Sequence, residues 1–449
     1  ILSQAITQES RAEIAEAIKE NMASTVQMDE VVEVIGEALN NKEDLETQRA
    51  VSILLNQEQE VSMQDSAGVS VPLTQAQRVI VAYDMVTQSV VSTKTTAASN
   101  ETGAQTISMA ASTALSGMGS MNASPAVGGG GVRVSTLNND GVASGIAAGV
   151  AAGDDVSGAV WVKPFVGGGK QSKRAKQTPF DNASYGLLCG GHRQANDSLM
   201  GGVLLGYFQN DLRAVGSKLL GTRDKIGSGS ILAGLYGSYT PTEKWNIQAN
   251  LLFAFTRVDS KSRRSFFDDT DGSKIKNADV RAKYNSNSLS LQLLANYYAV
   301  INENSALVPS IGLYVNRNGE YSYKEEGDAR VAKSESTTSA SVVPQGVFGI
   351  RYLGSTIGQG YALGSDLHAN VYQSFCSVTG KNTTTYANNP GSAPVPTLLP
   401  GGEKTVLNAG VGVSFETQMM RYSFACDYYA AVQTGYRAVQ GVLSVDCKF

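Results

Sequence analysis

The sequence lacks an excess of charge of either sign. Its 36 Lys and Arg residues stand against 40 Asp and Glu residues, which gives a net charge of −4. A dedicated nucleic-acid-binding protein needs clustered cations to neutralise phosphates, so this balance argues against a nucleic-acid partner. Charged residues make up only 17% of the chain, below the level typical of soluble domains. With 47 Gly and 19 Tyr, the composition suits a β-rich wall better than a soluble α/β enzyme.

Long apolar runs, a secretory leader and a metal-binding pattern are also missing from the sequence. No run of about eighteen apolar residues occurs, which argues against a transmembrane helix. The chain starts at Ile1 without a basic and apolar leader, and we therefore expect it to be the C-terminal part of a longer precursor. The cysteines are too few and too scattered for a disulfide framework or a metal site, and no cofactor is expected. They are Cys189, Cys376, Cys426 and Cys447.

The composition changes twice before the region of strands. Residues 1–90 carry apolar residues at helical spacing and are predicted to be mainly helical, with a capping box at Ser10 and Glu13. Residues 91–135 are rich in Ser, Thr, Ala and Gly, which is the composition of a linker. Residues 136–157 combine Ala and Gly with a few larger apolar residues, and this predicts a slender helix that can thread a narrow space. Further helices are predicted at 28–39, 45–55 and 74–85.

From Gly158 to Phe449, apolar and polar residues alternate in segments of the length that crosses a bilayer at a tilt. Short turns alternate with long loops between these segments, as in outer-membrane barrels. The pattern predicts an all-β membrane protein, a 12-stranded antiparallel transmembrane β-barrel over 158–449. A soluble antiparallel sheet is the alternative, because it also alternates. The strands are predicted at 158–168, 184–194, 198–209, 228–240, 245–258, 286–301, 305–321, 338–353, 358–375, 404–417, 419–432 and 436–449.

The C-terminal segment resembles the insertion signal of bacterial outer-membrane barrels, a final aromatic residue with apolar residues at alternate positions before it. In this chain those positions are Leu443, Val445, Cys447 and Phe449. The stretch 136–449 resembles the translocator β-domain of autotransporters, or type V secretion proteins, in which a barrel encloses a helix that leads in from the passenger. Within that family, the chain looks most similar to surface antigens of rickettsia-like bacteria.

The resemblance implies secretion and surface display of the chain's own passenger, of which residues 1–90 are the C-terminal part. The barrel inserts into the bacterial outer membrane with the help of the barrel-assembly machinery and periplasmic chaperones, and the helix at 136–157 stays in the pore. Other implied partners are outer-membrane lipid, lipopolysaccharide and the host cell surface. The alternatives are an adhesin or porin-type barrel without self-transport and, less favoured, an outer-membrane hydrolase.

The inward faces of the strands supply the candidate site residues. By alternation, the residues that face the lumen include Asp366, His368, Asn370 and Asp427. Both histidines, His192 and His368, point inward, which argues against the hydrolases because those enzymes present a histidine to lipid or near the outer rim.

Asn138 and Asn139 resemble the adjacent asparagines at which some autotransporters release their passenger by asparagine cyclisation. An inward carboxylate from Asp427 or Asp446 would orient the attacking amide. The same Asn-Asn-Asp-Gly string is a strong turn signal, and both interpretations stay open. Apart from this single-turnover self-cleavage, we do not expect an enzyme.

Two further predictions concern the loops and the cysteines. Residues 259–285, which include Lys261 and Arg263, are interpreted as a solvated loop with mixed charges, and a contact with lipopolysaccharide or another protein is the alternative. Cys426 and Cys447 face lipid on adjacent strands but several residues out of register, so we expect no disulfide between them. The long loops are predicted at 169–183, 210–227, 259–285, 322–337 and 376–403.

Overall fold

The computed structural model describes a helical unit and a β-barrel. The linker 91–135, the helix predicted at 136–157 with Asn138 and Asn139, and Cys376 lie outside the described residues. No helix in the described part is long and apolar enough to cross a membrane. The described residues are 6–7, 10–21, 27–40, 45–56, 58–64, 70–87, 158–171, 179–196, 198–215, 219–242, 244–268, 274–302, 304–328, 331, 333–375, 381–386, 395–398, 405–417, 419–433 and 435–449.

Twelve antiparallel strands pair in chain order, and the last strand pairs with the first, which closes a barrel. The predicted strand number and antiparallel order are confirmed. A closed barrel leaves no backbone edge unpaired, as a lipid environment requires. The strands are β1 (Gly158–Gln171), β2 (Phe180–Asn196), β3 (Leu199–Val215), β4 (Arg223–Thr242), β5 (Trp245–Asp268), β6 (Lys274–Tyr297), β7 (Ser305–Asn318), β8 (Ser341–Gly358), β9 (Tyr361–Ser374), β10 (Thr405–Glu416), β11 (Met420–Ala431) and β12 (Tyr436–Lys448).

The two faces of the barrel wall have opposite chemistry. Large apolar side chains on the outward face are exposed, among them Val203, Ile231 and Leu293. Polar side chains on the inward face, such as Asn250 and Gln292, are buried. This is the reverse of a water-soluble protein, and lipid around the outward face accounts for it. The soluble-sheet alternative is therefore wrong.

Both ends of the barrel chain meet at the rim that carries the short turns. Gly158 and Phe449 exchange two backbone hydrogen bonds of 3.0 Å, which close the seam between β1 and β12. Gly158 is required there, because a Cβ at this position would lie 2.8 Å from the His192 carbonyl oxygen. The opposite rim carries the two longest connections, 319–340 between β7 and β8 and 375–404 between β9 and β10, but the connections between β5 and β6 and between β11 and β12 on that rim are short. The predicted difference between the rims is confirmed for these two long connections.

The solvated loop predicted at 259–285 is wrong, and so in large part is the loop predicted at 210–227. β5 and β6 remain paired from Asp259 and Lys283 to Asp268 and Lys274, far beyond the apolar band. The backbone ladder needs no apolar face once water replaces lipid, so pairing continues above the membrane. Within this hairpin Arg264 is buried, with 2% exposure.

The described residues before the linker include four helices that share one core. They are α1 (Ser10–Asn21), α2 (Met28–Asn40), α3 (Leu45–Leu55) and α4 (75–87). Their apolar stripes meet in one core that contains the fully buried Ile14, Ile35 and Ile80. The capping box predicted at Ser10 and Glu13 is wrong, because Thr7 Oγ1 accepts the Ser10 amide hydrogen bond at 3.2 Å.

The helical unit is attached to the rim that carries the long connections. Short strands at Ser62–Gln64 and Ser70–Pro72 pair with each other. The first of them also pairs in parallel with the start of β6, where Met63 lies opposite Ile275. Ile275 and Leu220 complete the core of the helical unit. The unit thus lies at the opposite end of the barrel from Phe449.

Candidate functional site

Charged side chains on the inward face of β8, β9 and β11 contact one another in a continuous network. Arg351 Nε donates to Asp366 Oδ2 at 2.8 Å. His368, two residues further along β9, lies with Nδ1 3.3 Å from Asp366 Oδ1 and Nε2 2.7 Å from Asp427 Oδ1. Each of these side chains faces inward because it occupies the polar position of the alternation in its strand. The result is a mutually paired network in which Asp427 is buried and the other three side chains are half-buried.

A glycine on β10 permits this network. Gly410 lies directly between His368 on β9 and Asp427 on β11 in the strand register. A Cβ at this position would lie 2.4 Å from Asp427 Oδ1 and 2.6 Å from His368 Nε2. The imidazole therefore reaches across a neighbouring strand only because that strand has no side chain there.

Two asparagines extend the same network. Asn370 Nδ2 donates to Asn408 Oδ1 at 2.8 Å, and Asn408 Nδ2 donates to Asp427 Oδ1 at 3.2 Å. The structure thus brings the four inward candidates Asp366, His368, Asn370 and Asp427 into one connected group. Sequence reasoning missed Arg351 and Asn408, although both occupy polar positions of the alternation.

The network lines a partly open pocket inside the barrel. The facing wall contributes Gln248, Gln292 and Asn296 from β5 and β6. The lining is thus rich in amide donors and acceptors, with its charges paired, and can hydrogen-bond a polar chain. Among the residues the structure describes, no group of His, Cys, Asp and Glu is arranged to hold a metal ion.

The two carboxylates considered for self-cleavage are separate. Asp427 is held by His368 and Asn408, whereas Asp446 accepts a hydrogen bond from Ser444 Oγ at 3.1 Å. In the register, Asp427 lies opposite Gln440, six residues from Asp446. That offset corresponds to about 20 Å along the strand. The two carboxylates cannot act on the same asparagine together.

The outer mouth of the lumen is filled by the segment that connects β7 and β8. Tyr321 and Tyr323 stack on Tyr284 of β6, with ring centroids 4.9 and 5.4 Å away. Glu325 in the same segment forms a buried ion pair with Arg264 of β5. The sequence prediction of a loop missed this closure. The alternate tyrosines at 321 and 323 were its only local signal.

The insertion-signal residues lie on the outward face of β12. Leu443, Val445 and Phe449 are exposed, and Cys447 is half-buried beside them. Cys447 lies opposite Met420 in the register, six residues from Cys426, and both cysteines are free, as predicted.

His192 lies inward near the short-turn rim, where its Nδ1 is 3.3 Å from the Tyr236 hydroxyl. Trp161 Nε1 donates to the same hydroxyl at 2.8 Å. Both histidines are thus on the lumen side, and neither faces lipid as the hydrolase alternative requires.

Comparison with known proteins identifies relatives for the barrel. The family profile described as "Autotransporter beta-domain" matches residues 160–428. Outer membrane protein B of Rickettsia conorii is 26% identical over 66% of this chain, and outer membrane protein A of the same organism is 27% identical over 69%. The matches cover only 17% and 15% of those relatives, so the chain spans a small part of their length. The translocator domain of the autotransporter NalP from Neisseria meningitidis is 16% identical, with a TM-score of 0.47, over 66% of this chain and 90% of that chain.

Proposed function

This chain belongs to the autotransporter β-domain family, and on that premise we propose that it secretes and displays its own N-terminal passenger. The barrel resides in a bacterial outer membrane, where lipid covers its outward apolar face. One observation carries the proposal: helix α4 packs at the long-connection rim, whereas Gly158 starts β1 at the opposite rim. The chain must therefore pass from one side of the membrane to the other between them.

We expect that passage to run through the lumen. The helix predicted at 136–157 would be about 33 Å long, enough to span an apolar band about 25 Å tall. Its small residues suit a narrow space, and the cavity beside His368 and Asn370 offers polar partners to it. In this arrangement the helical unit is the C-terminal end of the passenger and lies outside the cell.

The proposed partners are those that the family implies. Outer-membrane lipid and lipopolysaccharide cover the outward belt, the barrel-assembly machinery recognises the terminal signal, and periplasmic chaperones deliver the unfolded chain. The passenger contacts the host cell surface. Release of the passenger by cyclisation at Asn138 and Asn139 remains an accompanying proposal, tested by an immunoblot of Asn139→Ala, where unchanged processing would contradict it.

Surface display is tested in Gram-negative cells that express the chain behind a secretory leader and an epitope tag placed before Ile1. We expect protease added to intact cells to remove the tag. Phe449→Ser should lower both barrel assembly and surface tag severalfold, because it removes the terminal aromatic of the insertion signal. Phe415→Ser is the matched control, since Phe415 is another exposed outward aromatic near the same rim.

A second measurement separates this function from that of a simple pore. Conductance across planar bilayers should rise when residues 136–157 are deleted, because the lumen then loses its occupant. An unchanged current, or a tag that stays protected in intact cells with a folded barrel, would favour a porin-type or adhesin barrel without self-transport.

A further inference from the structure

A row of cations faces outward on four adjacent strands. Arg213, Lys225, Lys261 and Arg281 on β3, β4, β5 and β6 lie directly opposite one another in the register. All four belong to the outward face, the same face that carries the exposed apolar belt lower on these strands. The row cannot be recognised in the sequence, because its residues lie up to 68 positions apart and become neighbours only through the strand pairing.

The row is unfavourable without an anion. Like charges directly opposite each other in an antiparallel sheet repel and lower stability. Lys261 has one acidic partner, Asp279, at 2.8 Å. Arg213, Lys225 and Arg281 form no salt bridge within the part of the chain that the structure describes.

The surroundings of the row contain both further cations and acidic residues. The next step outward places Arg223 directly opposite Arg263. Acidic residues border the row on several sides. They are Asp181 and Glu326 at its ends, Asp279 beside Lys261, and Asp211 and Asp259 one step closer to the membrane. The cations of the row and of the next step outward outnumber them, and the row is four strands wide, about 15 Å across at the spacing of paired strands.

The height of the row above the apolar belt determines which lipid phosphates can reach it. Phe255 and Ile231 pair in the outermost apolar row. Lys225 and Lys261 lie six residues further out on the same strands, which corresponds to about 15 Å above the apolar edge at the usual strand tilt. A phospholipid headgroup layer is only about 5–8 Å thick, so its phosphates lie below this level. Phosphates carried on a saccharide headgroup can reach it.

We propose that Arg213, Lys225, Lys261 and Arg281 form a binding site for the phosphorylated saccharide headgroup of lipopolysaccharide in the outer leaflet. This rests on the outer-membrane placement of the barrel, and it assigns a site to one of the proposed partners. Binding neutralises the four cations, while the acyl chains of the same lipid cover the apolar belt below. One lipid molecule thus contacts both the cationic row and the apolar belt, which lie on the same strands.

The test uses the full chain refolded in a zwitterionic detergent and titrated with fluorescent lipopolysaccharide that carries its phosphorylated inner core. Lys225→Gln/Arg281→Gln should bind on the order of thirtyfold more weakly than the unaltered chain, at about fivefold per lost cation. The affinity of the unaltered chain should fall with rising salt concentration.

The matched control is Lys170→Gln/Lys283→Gln. It removes the same charge from the outward face, but at lysines that already have an aspartate 3.8 and 3.6 Å away. We expect its affinity to match that of the unaltered chain. In detergent without lipid, Lys225→Gln/Arg281→Gln should be at least as resistant to urea as the unaltered chain, because repulsion within the row is relieved. Lipopolysaccharide should then protect only the unaltered chain and the control.

Several results would overturn the proposal. One is equal binding by the unaltered chain and Lys225→Gln/Arg281→Gln, and another is an equal loss in the control. Equally tight binding of phosphatidylglycerol or inorganic phosphate would mean that no saccharide headgroup is recognised, and stronger binding of heparin would point to a soluble glycan. The titration needs no secretion, so a failure of surface display in cells would leave this result intact.

Discussion

At the scale of single residues, the lumen network depends on the missing side chain at Gly410. His368 must cross β10 to reach Asp427, and a methyl group at position 410 would occupy that path. Gly410→Ala should therefore break the hydrogen bond between them and leave Asp427 less well paired. We expect a loss of about 1.5–3 kcal/mol in the free energy of unfolding, as for a buried hydrogen bond to a charged group. Urea unfolding of the refolded barrel, followed by its gel mobility, measures this loss.

Gly412→Ala provides the control for that measurement. Gly412 lies two residues further along β10 on the same face, but a Cβ there would lie 3.4 Å from Asp366 Cβ, an ordinary contact. Its urea midpoint should stay close to that of the unaltered chain. Equal midpoints for the two variants would show that the contact between His368 and Asp427 contributes nothing measurable.

The sequence predicts inward residues well but not their contacts. Alternation alone places Asp366 and His368 on the inward face, because a strand has a strict period of two. Which residues touch depends on the offset between neighbouring strands, and no local pattern encodes that offset. The position of Gly410 between two polar residues, and the cationic row at Lys225 and Lys261, become visible only when the register is known.

At the scale of elements, a buried ion pair helps to hold the segment after β7 in the mouth of the barrel. Arg264 and Glu325 are almost fully buried, with side-chain exposures of 2% and 4%. Arg264→Met should remove the guanidinium that pairs with the buried Glu325 carboxylate, at a cost of up to about 3–5 kcal/mol in the free energy of unfolding. We expect the segment 319–338 to leave the mouth and become cleavable by protease in the folded barrel.

Two further variants test whether the ion pair between Arg264 and Glu325 holds the segment in place. Arg264→Met/Glu325→Leu removes both charges and should restore much of the protection, because replacing a whole buried pair by apolar residues is often close to neutral. Lys324→Ala breaks an exposed pair with Glu335 in the same segment and should change little. Rapid cleavage in the Lys324→Ala chain would mean that the segment is not held by the buried pair.

The sequence predicts the number and type of the elements but not how far the longest strands extend. All twelve strands are predicted because each combines alternation with sufficient length, and three of the four helices are placed within two residues at each end. The sequence predicts a loop after residue 258 in place of the outer part of the β5–β6 hairpin, because the prediction limits each strand to the thickness of the bilayer. Hydrogen bonding between β5 and β6 has no such limit, and their ladder continues to Asp268 and Lys274.

At the scale of the whole molecule, the helical unit and the barrel are joined by a short strand pair and a shared core. Met63 pairs with Ile275 at the outer tip of β6, and Leu220 packs into the same core. The sequence predicts helices in this unit, but it gives no sign that they rest on the barrel. A three-residue strand has too few alternating positions to be recognised, and its partner lies more than 200 residues later.

That junction gives a prediction for the intact molecule. Directly paired residues on neighbouring strands lie about 4.8 Å apart, within the range of Cα separations that a disulfide bridges. In a chain whose native cysteines are replaced by serine, Met63→Cys/Ile275→Cys should therefore form a disulfide on mild oxidation, seen as a shift in gel mobility. Met63→Cys/Asn277→Cys moves one partner two residues along β6, about 7 Å, and should form little. On intact cells the first bond should be reduced by a membrane-impermeant phosphine, because the proposed secretion places the junction outside the cell. A bond that forms but resists the phosphine until the cells are lysed would place the helical unit on the wrong side of the membrane.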